Sequence, residues 1–349
     1  MRDHARAAAA AGNRVVVVVD EGPYSDVRAL YRLVEESDGD LRVFRLSYRP
    51  STGTIAYLPG VLDVVRRLRR EGTPVDVLHA HIHRMAWPAV IVGALLRRPV
   101  VVTENSSEWA RHTMTAGGLR RAKIAFRRAN LVCPVNQLLQ RAIESYGIRA
   151  EFRVVPNTVD TGVFHPGDEK RSPASPTQLV NVAFHVEVKA LDVLLRAFAV
   201  VAEYRPELKL TMIGEGPLTP DLMELAAGLG VAERVHFVGN AKSPAIADIL
   251  RSSDLFVLSS LSENMPLAVI EAMCCGLPIA ATNVGGVPEA VGEFGELAPP
   301  NDPKGLAAAI ESVLADYDRF DRVDIARRSA SRFSFESIGR TWTEIYAAL

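Results

Sequence analysis

Residues 262–273 read SENMPLAVIEAM, and this stretch carries two carboxylates eight residues apart, at Glu263 and Glu271. Pro266 is typical of the first position of a helix, because its missing N–H would have no partner there. The apolar run that follows Pro266 is interrupted only by Glu271, and Gly276 is typical of a residue that ends a helix. We therefore predict a helix that begins at Pro266, with Glu263 in the preceding loop and Glu271 over the first two turns.

The start of this predicted helix has the properties of an anion-binding site. Its first backbone N–H groups lack helical partners, and the positive end of the helix dipole lies there. An anion flanked by two carboxylates suggests a ligand with phosphates in the middle and hydroxyls at both ends, such as a sugar nucleotide. The alternative is that both glutamates are ordinary surface residues, one of which stabilises the helix dipole.

The flanking sequence favours the binding-site interpretation. Residues 254–259 and 277–282 are predicted strands on either side of the helix, and Gly285-Gly286 follows the second strand. A strand, loop, helix and strand form a βαβ unit, in which ligands bind beyond the carboxyl ends of the strands. Glu263 follows one such end, and the two glycines follow the next.

Composition indicates a soluble protein of two domains. The chain has 349 residues, which is more than one ordinary core requires. Of these residues, 48% are hydrophobic and 23% are charged, as in ordinary globular proteins. Cys133, Cys274 and Cys275 form neither a disulfide framework nor a zinc-binding spacing, which favours a cytoplasmic location. No apolar run reaches the roughly 20 residues that span a membrane, and we expect no secretory signal.

Charge divides unevenly along the chain. Residues 1–165 contain 24 basic and 16 acidic residues, whereas residues 166–349 contain 16 basic and 25 acidic residues. Arginine clusters on predicted helices of the basic half favour peripheral contact with an anionic membrane, and the alternative is an ordinary solvated helix face. Nucleic acid is not an expected partner, because no aromatic residues are interleaved with these clusters.

Strands and helices alternate along the chain in two sets, separated by a polar, proline-rich linker at 165–177. The predicted strands are 14–19, 41–46, 75–79, 99–103, 131–134, 152–155, 179–184, 209–213, 235–238, 254–259 and 277–282. The predicted helices are 2–11, 58–71, 119–129, 137–146, 190–204, 222–229, 245–251, 266–275, 303–315 and 335–349. This alternation predicts an α/β protein with two doubly wound parallel sheets and a cleft between them.

Five motifs occur in order along this pattern: Val155-Pro156-Asn157 with Val159-Asp160, Glu187-Val188-Lys189, Ile213–Pro217, Glu263 with Glu271, and Gly285–Glu289. Together they resemble the retaining GT-B glycosyltransferases called glycosyl transferases group 1, or glycosyltransferase family 4. The resemblance covers essentially the whole chain and is strongest from Val154 to Leu297. It implies the GT-B architecture, two doubly wound Rossmann-like domains facing a cleft. The N-terminal acceptor-side domain would span 1–165, the C-terminal nucleotide-sugar domain 166–333, and a C-terminal helix at 334–349 would cross back to the first domain.

The resemblance implies transfer of a sugar, with retention, from a nucleotide-diphosphate-sugar to an unknown glycan, lipid-linked or small-molecule acceptor. Glu263 would contact hydroxyls of the transferred sugar, Glu271 the ribose, and Lys189 the leaving diphosphate, whose growing charge it would stabilise. The other donor-binding candidates are Asn264, Met265, Pro266, Leu267, Gly214 and Gly239. His81 is a further catalytic candidate, and Asn105 and Asn136 are the acceptor-side candidates. The resemblance implies no metal and no cofactor, and the leaving phosphate itself can accept the acceptor's proton.

The chain departs from the family pattern at three places. Ala183-Phe184-His185 stands where the family has Gly-Arg, so one phosphate-binding cation is absent, and the pH-dependent charge of His185 would replace it only in part. Thr103-Glu104-Asn105 stands where a sugar-contacting histidine is common, and asparagine donates hydrogen bonds without carrying charge. The sequence also begins inside the helix at 2–11, which follows a strand and a Gly-rich loop in the family. We expect the upstream gene sequence to encode that strand; alternatively, another segment fills its position.

These departures leave a second function open, a catalytically inactive nucleotide-sugar-binding or scaffold protein. A donor turnover assay separates it from the enzyme. A third possibility, a GT-B sugar-nucleotide epimerase, is disfavoured because that family lacks this pair of glutamates.

Overall fold

The computed structural model describes residues 2–23, 29–49, 57–167 and 177–349, so most of the predicted linker lies outside the described residues. The described helices are, in chain order, α1 Arg2–Ala10, α2 Tyr57–Arg70, α3 His83–Leu96, α4 Ala116–Arg128, α5 Gln137–Ser145, α6 Leu191–Tyr204, α7 Thr219–Gly228, α8 Ser243–Ser252, α9 Leu267–Cys274, α10 Val287–Val291, α11 Pro303–Ala315, α12 Arg322–Phe333 and α13 Phe335–Ala347. The described strands are β1 Val16–Pro23, β2 Tyr31–Asp38, β3 Leu41–Tyr48, β4 Leu78–His81, β5 Val100–Glu104, β6 Leu131–Pro134, β7 Gln178–Val182, β8 Lys209–Ile213, β9 Val235–Gly239, β10 Leu255–Leu258, β11 Ile279–Thr282 and β12 Gly295–Ala298.

The chain divides into two compact units. Unit 1 comprises residues 1–156 together with 335–349, and unit 2 comprises residues 157–334. The boundary between the units therefore precedes the predicted linker, and α13 belongs to unit 1.

Unit 1 contains two three-stranded sheets, with strand orders β1-β3-β2 and β4-β5-β6. β1 is parallel to β3, β2 is antiparallel to β3, and β4, β5 and β6 are parallel to one another. Among the described strands, β1 is hydrogen-bonded only to β3, and β4 only to β5. The expected further strand, central in the sheet of this unit, stays a prediction.

Helix α13 packs against α1 within unit 1. Gly339 allows this close approach, because a Cβ at that position would stand 2.3 Å from the carbonyl oxygen of Ala7. The apolar cluster at this contact includes Ala7, Trp342 and Ile345, and it extends to Val101 of β5. The C-terminal helix thus completes the core of unit 1.

Unit 2 is built on a six-stranded, all-parallel sheet with the order β12-β11-β10-β7-β8-β9. Its central strands are buried, which is typical of parallel strands covered by helices on both faces. The chain proceeds outward from β7 to β9 and then returns to the other side of β7 with β10. The strand order therefore reverses between β7 and β10, and ligands bind beyond the carboxyl ends of strands at such a reversal.

Several predicted elements differ from the structure. The predicted strand at 152–155 is reduced to a parallel bridge between Phe152 and Val132, although the N–H groups of Arg153 and Val155 also donate to carbonyl oxygens of β6. The sequence patterns do not predict β2, β12, α3, α10 or α12. β2 is largely polar, β12 and α10 have only four and five residues, and α3 is apolar around most of its surface and contains Pro88. α12 buries Ile325, Ala326, Ser329 and Phe333 at helical spacing, but only two of these are strongly apolar. None of the described helices is long and apolar enough to cross a bilayer.

Histidines form a polar cluster in the core of unit 1. The His79 ring shares hydrogen bonds with Tyr346 Oη and Thr103 Oγ1, each at 2.7 Å, and stacks on His81 with ring centroids 4.6 Å apart. Burial and, to a smaller extent, the nearby His4 lower the pKa of His79 to about 3. Burial and the neighbouring His79 likewise hold the pKa of His81 well below its ordinary value. Both rings are therefore uncharged at neutral pH.

These pKa shifts predict that unit 1 loses stability in acid. The unfolded chain binds protons below pH 6.5 while folded His79 stays neutral down to about pH 3, so stability is complete above pH 6.5 and falls across this window. The free energy of unfolding is expected to fall by up to about 1.4 kcal/mol per pH unit for each such histidine. Urea unfolding at a series of pH values measures it, and tryptophan fluorescence isolates unit 1, since Trp87, Trp109 and Trp342 all belong to it.

The substitution His79→Gln should reduce this pH dependence by one proton, because glutamine does not titrate. The matched control is His236→Gln, at an exposed position of unit 2, which should leave the dependence of the parent unchanged. Equal pH slopes for the parent and His79→Gln would contradict the assignment.

Candidate active site

An ion pair joins the loops that follow β7 and β10, where the strand order of unit 2 reverses. Lys189 Nζ donates to Glu263 Oε1 at 2.6 Å, and the Ser260 hydroxyl donates to the same oxygen at 2.8 Å. The Lys189 side chain is 26% exposed and that of Glu263 is 11% exposed. Oε1 thus has two donors, while Oε2 has none among the described residues and can accept a hydrogen bond from a ligand.

Backbone contacts hold Lys189 beside the second loop. The Leu261 N–H donates to the carbonyl oxygen of Val188 at 2.8 Å, and the Ser259 hydroxyl donates to the carbonyl oxygen of Lys189 at the same distance. Ala190 follows with φ +44°, a left-handed conformation that non-glycine residues rarely adopt. The sharp turn from residues 187–189 into α6 thus occurs directly after the lysine.

Helix α9 begins beside this ion pair. Leu267 is its first residue and Pro266 is the N-cap, with an extended ψ of 115°, so the prediction of Pro266 as the first helical residue is wrong by one position. The N-cap residue Pro266 has no side-chain acceptor, so its own side chain does not cap α9. The buried Asn157 side chain donates to the carbonyl oxygen of Met265 at 2.8 Å, which fixes the loop before the helix. Gly276 follows the helix with φ +84°, as predicted for its end.

Glu271 lies one turn after Leu267 on α9, and residues four apart share a helix face. Leu267 is 39% exposed and Glu271 is half-buried, whereas the intervening Val269 and Ile270 are fully buried. The accessible face of α9 therefore runs from its uncapped N-terminus to Glu271. Asn264 lies half-buried in the loop before this face.

Gly214 and Gly239 meet at the carboxyl ends of β8 and β9. The Gly214 N–H donates to the carbonyl oxygen of Gly239 at 2.8 Å. A Cβ on Gly214 would stand 1.9 Å from the carbonyl oxygen of Ala183, so only glycine fits there, and its φ of +124° also favours glycine. An open groove of about 520 Å³ lies alongside, lined by Phe184, Glu215, Gly216, Pro217, Thr219, Pro220 and Asn240.

His185 does not supply the missing phosphate-binding cation. Its side chain is buried, its Nδ1 shares a hydrogen bond with Thr219 Oγ1 at 2.9 Å, and burial lowers its pKa. The imidazole is therefore neutral at neutral pH. Phe184 is 58% exposed and presents an apolar ring at the groove instead.

The catalytic candidate His81 and the two acceptor-side candidates lie in unit 1, at the carboxyl edge of the β4-β5-β6 sheet. His81 ends β4, Asn105 follows β5 and Asn136 follows β6. Asn136 is buried, and its side chain caps α5 by accepting the Leu139 N–H at 2.7 Å. His81 stacks on His79 and is uncharged. The structure thus collects these three residues at one sheet edge, separately from the candidates in unit 2.

Sequence patterns alone did not assign a contact to Glu104, which is fully buried at the end of β5. Its Oε2 accepts the backbone N–H of His83 at 2.7 Å and lies 3.2 Å from His83 Nδ1, and its Oε1 accepts the Ser106 N–H at 2.8 Å. Both carboxylate oxygens are therefore used to hold the loops at this edge. The sequence signal that could have indicated these contacts of Glu104 is a charged residue directly after an apolar run.

The two parts of the chain match two known families. Residues 1–163 match the family described as Glycosyltransferase Family 4, and residues 176–316 match the family described as Glycosyl transferases group 1. A D-inositol 3-phosphate glycosyltransferase from Thermobispora bispora is 31% identical over 323 residues, which cover 83% of this chain and 74% of that protein. A glycogen synthase from Mycobacterium tuberculosis is 27% identical over 370 residues, which cover 99% of this chain and 89% of that protein.

Solved structures have the same fold. HepE of Anabaena, solved in complex with UDP, superposes with a TM-score of 0.76 at 21% identity, over 96% of this chain and 100% of that chain. A likeness at this level of identity concerns the fold alone. The chain belongs to the glycosyl transferases group 1 and glycosyltransferase family 4 proteins, and it is a glycosyltransferase of the GT-B fold.

Proposed function

We propose that this glycosyltransferase moves a sugar from a nucleotide-diphosphate-sugar to an acceptor, with retention of the anomeric configuration. The observation that carries the proposal is the contact between Lys189 and Glu263 beside the uncapped start of α9. A cation, the first N–H groups of a helix and a carboxylate oxygen without a partner among the described residues suit a ligand that joins a diphosphate to a hydroxyl-bearing ring.

The donor would extend across unit 2. The diphosphate binds the backbone N–H groups of Met265 and Leu267, on either side of Pro266, together with the Lys189 ammonium, and Glu271 accepts hydrogen bonds from the ribose. Gly214 and Gly239 border the groove that takes the base. Support comes from HepE, whose structures contain UDP and UDP-glucose.

Catalysis in this proposal depends mainly on electrostatic stabilisation. Negative charge grows on the diphosphate as the glycosidic bond breaks, and a preorganised cation and helix start stabilise that charge. Glu263 orients the transferred sugar through Oε2. The departing phosphate accepts the acceptor's proton, so that the reaction needs neither a separate base nor a metal ion.

The acceptor would bind at the carboxyl edge of the β4-β5-β6 sheet, where His81, Asn105 and Asn136 lie. The classes of acceptor considered are a glycan, a lipid-linked sugar and a small molecule. The name of the Thermobispora relative, D-inositol 3-phosphate glycosyltransferase, supports testing a phosphorylated polyol first.

The second candidate function is a nucleotide-sugar-binding protein without transferase activity. The neutral, buried His185 and the exposed Phe184 favour it, because together they remove one cation from the expected diphosphate site. Such a protein would bind nucleoside diphosphates without turning over any donor.

Assays of the purified protein with UDP-, GDP- and ADP-sugars test both functions. We expect release of the nucleoside diphosphate from one donor class when an acceptor is present. Glu263→Ala should lower kcat by at least about 100-fold, the scale of losing one preorganised group, with nucleotide affinity unchanged. Glu271→Ala should instead raise the dissociation constant of the nucleotide about 10-fold, as expected when a hydrogen bond to a charged group is lost.

Glu203→Ala is the matched control, because Glu203 is an exposed glutamate of α6 outside the site. It should match the parent in both measurements. Parent-like kinetics for both site variants would contradict the proposal, and nucleotide binding without turnover of any donor would favour the second function.

We also propose that α4 makes peripheral contact with an anionic membrane. Residues 116–128 contain Arg120, Arg121, Lys123, Arg127 and Arg128 and no acidic residue. The four arginines are exposed, while Ala122, Ala125 and Phe126 are buried on the opposite face. None of these five cations forms an ion pair with another described residue, whereas Arg67 on α2 pairs with Asp63. A helix face of one charge sign suits anionic lipid headgroups.

Sedimentation with lipid vesicles tests this contact. Vesicles with equal phosphatidylcholine and phosphatidylglycerol should bind the protein, with weaker binding at high salt, and pure phosphatidylcholine vesicles should not. Replacing Arg120, Arg127 and Arg128 by glutamine should weaken binding about 100-fold, at about 1 kcal/mol for each arginine. The control replaces three exposed cations of unit 2, Arg196, Lys209 and Lys304, by glutamine in the same way. Both triple variants therefore lose the same net charge. Equal binding of the two triple variants would refute the assignment to α4.

A further inference from the structure

We propose that Gly285 and the hydroxyl pair of Ser260 and Thr282 position the Glu263 carboxylate for catalysis. This inference rests on the proposed role of Glu263 in sugar transfer. The three residues act through Glu263 and need not touch the substrate, so they are positioning residues.

Gly285 allows the loop after β11 to pack directly against the Glu263 peptide. A Cβ on Gly285 would stand 1.5 Å from the carbonyl oxygen of Glu263 and 2.7 Å from its carbonyl carbon. Both atoms belong to the backbone, so no side-chain rotation relieves the collision. The φ of Gly285 is +52°, in the left-handed region. Any side chain at this position must therefore displace the Glu263 backbone or the 283–286 loop.

Two hydroxyls connect β11 to the same carboxylate. The Thr282 hydroxyl, at the end of β11, donates to the carbonyl oxygen of Ser260 at 2.6 Å. The Ser260 hydroxyl in turn donates to Glu263 Oε1 at 2.8 Å. Both residues are 1% exposed or less, so water does not compete for these bonds. The neighbouring strand thus fixes both the loop that carries Glu263 and the orientation of its side chain.

These contacts determine which carboxylate oxygen meets the ligand. Ser260 and Lys189 both donate to Oε1, which restricts rotation of the carboxylate and leaves Oε2 to accept a hydrogen bond from the sugar. Catalytic groups tolerate little displacement, and a shift of about 1 Å can cost on the order of 100-fold in rate. Displacement of the Glu263 backbone should therefore affect turnover more than nucleotide binding.

Gly292 offers a matched control for the backbone conformation. Its φ is +56°, close to that of Gly285, but a Cβ there would meet no atom within 4 Å. Gly292 has a ψ of −124°, and alanine at either position must adopt a positive φ, which strains an L side chain, but only alanine at Gly285 collides with Glu263. A loss of kcat in Gly285→Ala alone therefore reports the collision and not a positive φ as such.

The first experiment compares the parent, Gly285→Ala and Gly292→Ala. The dissociation constants of UDP, GDP and ADP are measured by calorimetry. The kinetic constants kcat and KM are measured with the donor that the parent turns over. We expect Gly285→Ala to lower kcat at least about 100-fold while the nucleotide dissociation constant changes by less than about 3-fold. Gly292→Ala should keep the kcat of the parent. Parent-like kcat in Gly285→Ala, or an equal loss in both variants, overturns the inference.

The second experiment tests the hydroxyl pair without altering the glycine. Thr282→Val keeps the volume of the side chain and removes its hydroxyl, and Thr282→Ser keeps the hydroxyl. We expect Thr282→Val to lower kcat about 10-fold, the scale of one lost hydrogen bond, and Thr282→Ser to restore it to within about 3-fold of the parent. A purely packing role predicts the opposite order, because serine leaves a cavity and valine does not.

A crystal structure of Gly285→Ala separates failure of this inference from failure of the proposed function. The inference requires that Glu263 move away from Lys189 or from Ser260 in that structure, whatever the reaction. An unmoved Glu263 overturns the inference even when the parent is an active transferase. If the parent neither binds nor turns over any sugar nucleotide, the proposed function is overturned. In that case a displaced Glu263 in the Gly285→Ala structure still supports the positioning by Gly285.

Discussion

The bond between Lys189 and Glu263 is the interaction on which the site of unit 2 depends. The two residues come from loops after β7 and β10, strands that are neighbours in the sheet although about seventy residues separate them along the chain. Removing one member would leave an uncompensated charge in a partly buried place, which costs more than the pair itself contributes. The pair also keeps a cation next to the start of α9 in the absence of any ligand, so the proposed diphosphate site would be formed in advance.

Close backbone packing is the second constraint on this edge of the sheet. Gly214 lies against Ala183, Gly216 against His185, and Gly285 against Glu263, and in each case a Cβ would overlap a backbone oxygen of the facing loop. The glycine motifs of the sequence therefore share one physical cause. They let the loops after β7, β8, β10 and β11 approach without intervening side chains, and this approach fixes the positions of the few polar groups among them.

The sequence allowed the prediction of elements whose signal is local. β8 and β6 have the predicted bounds, β6 as a buried apolar run and β8 as a short run with buried apolar residues at Leu210, Met212 and Ile213, and the end of α9 follows from Gly276. β2 escaped prediction because its apolar face is limited to Tyr31 and Leu33, while most of its other residues are polar and its position depends on pairing with β3. The contacts of Glu263 with Ser260 and Gly285 could not be predicted either. The contact with Ser260 depends on the conformation of the loop between residues 260 and 263. The contact with Gly285 depends on β10 and β11 being neighbours in the sheet, which brings the loops after these strands together.

The charges available to the proposed reaction also follow from this architecture. His185 in unit 2 and His79 and His81 in unit 1 have lowered pKa values, so burial removes them as cations near neutral pH. Ala183-Phe184-His185 stands where the family pattern has Gly-Arg. In the proposed reaction, Lys189 and the N–H groups at the start of α9 would therefore carry the stabilisation of a bound diphosphate among the described residues at this edge of unit 2. Backbone N–H groups do not titrate in this range, so this stabilisation should vary little between pH 6 and 8, and a pH dependence of turnover there would have to arise from the acceptor or from unit 1.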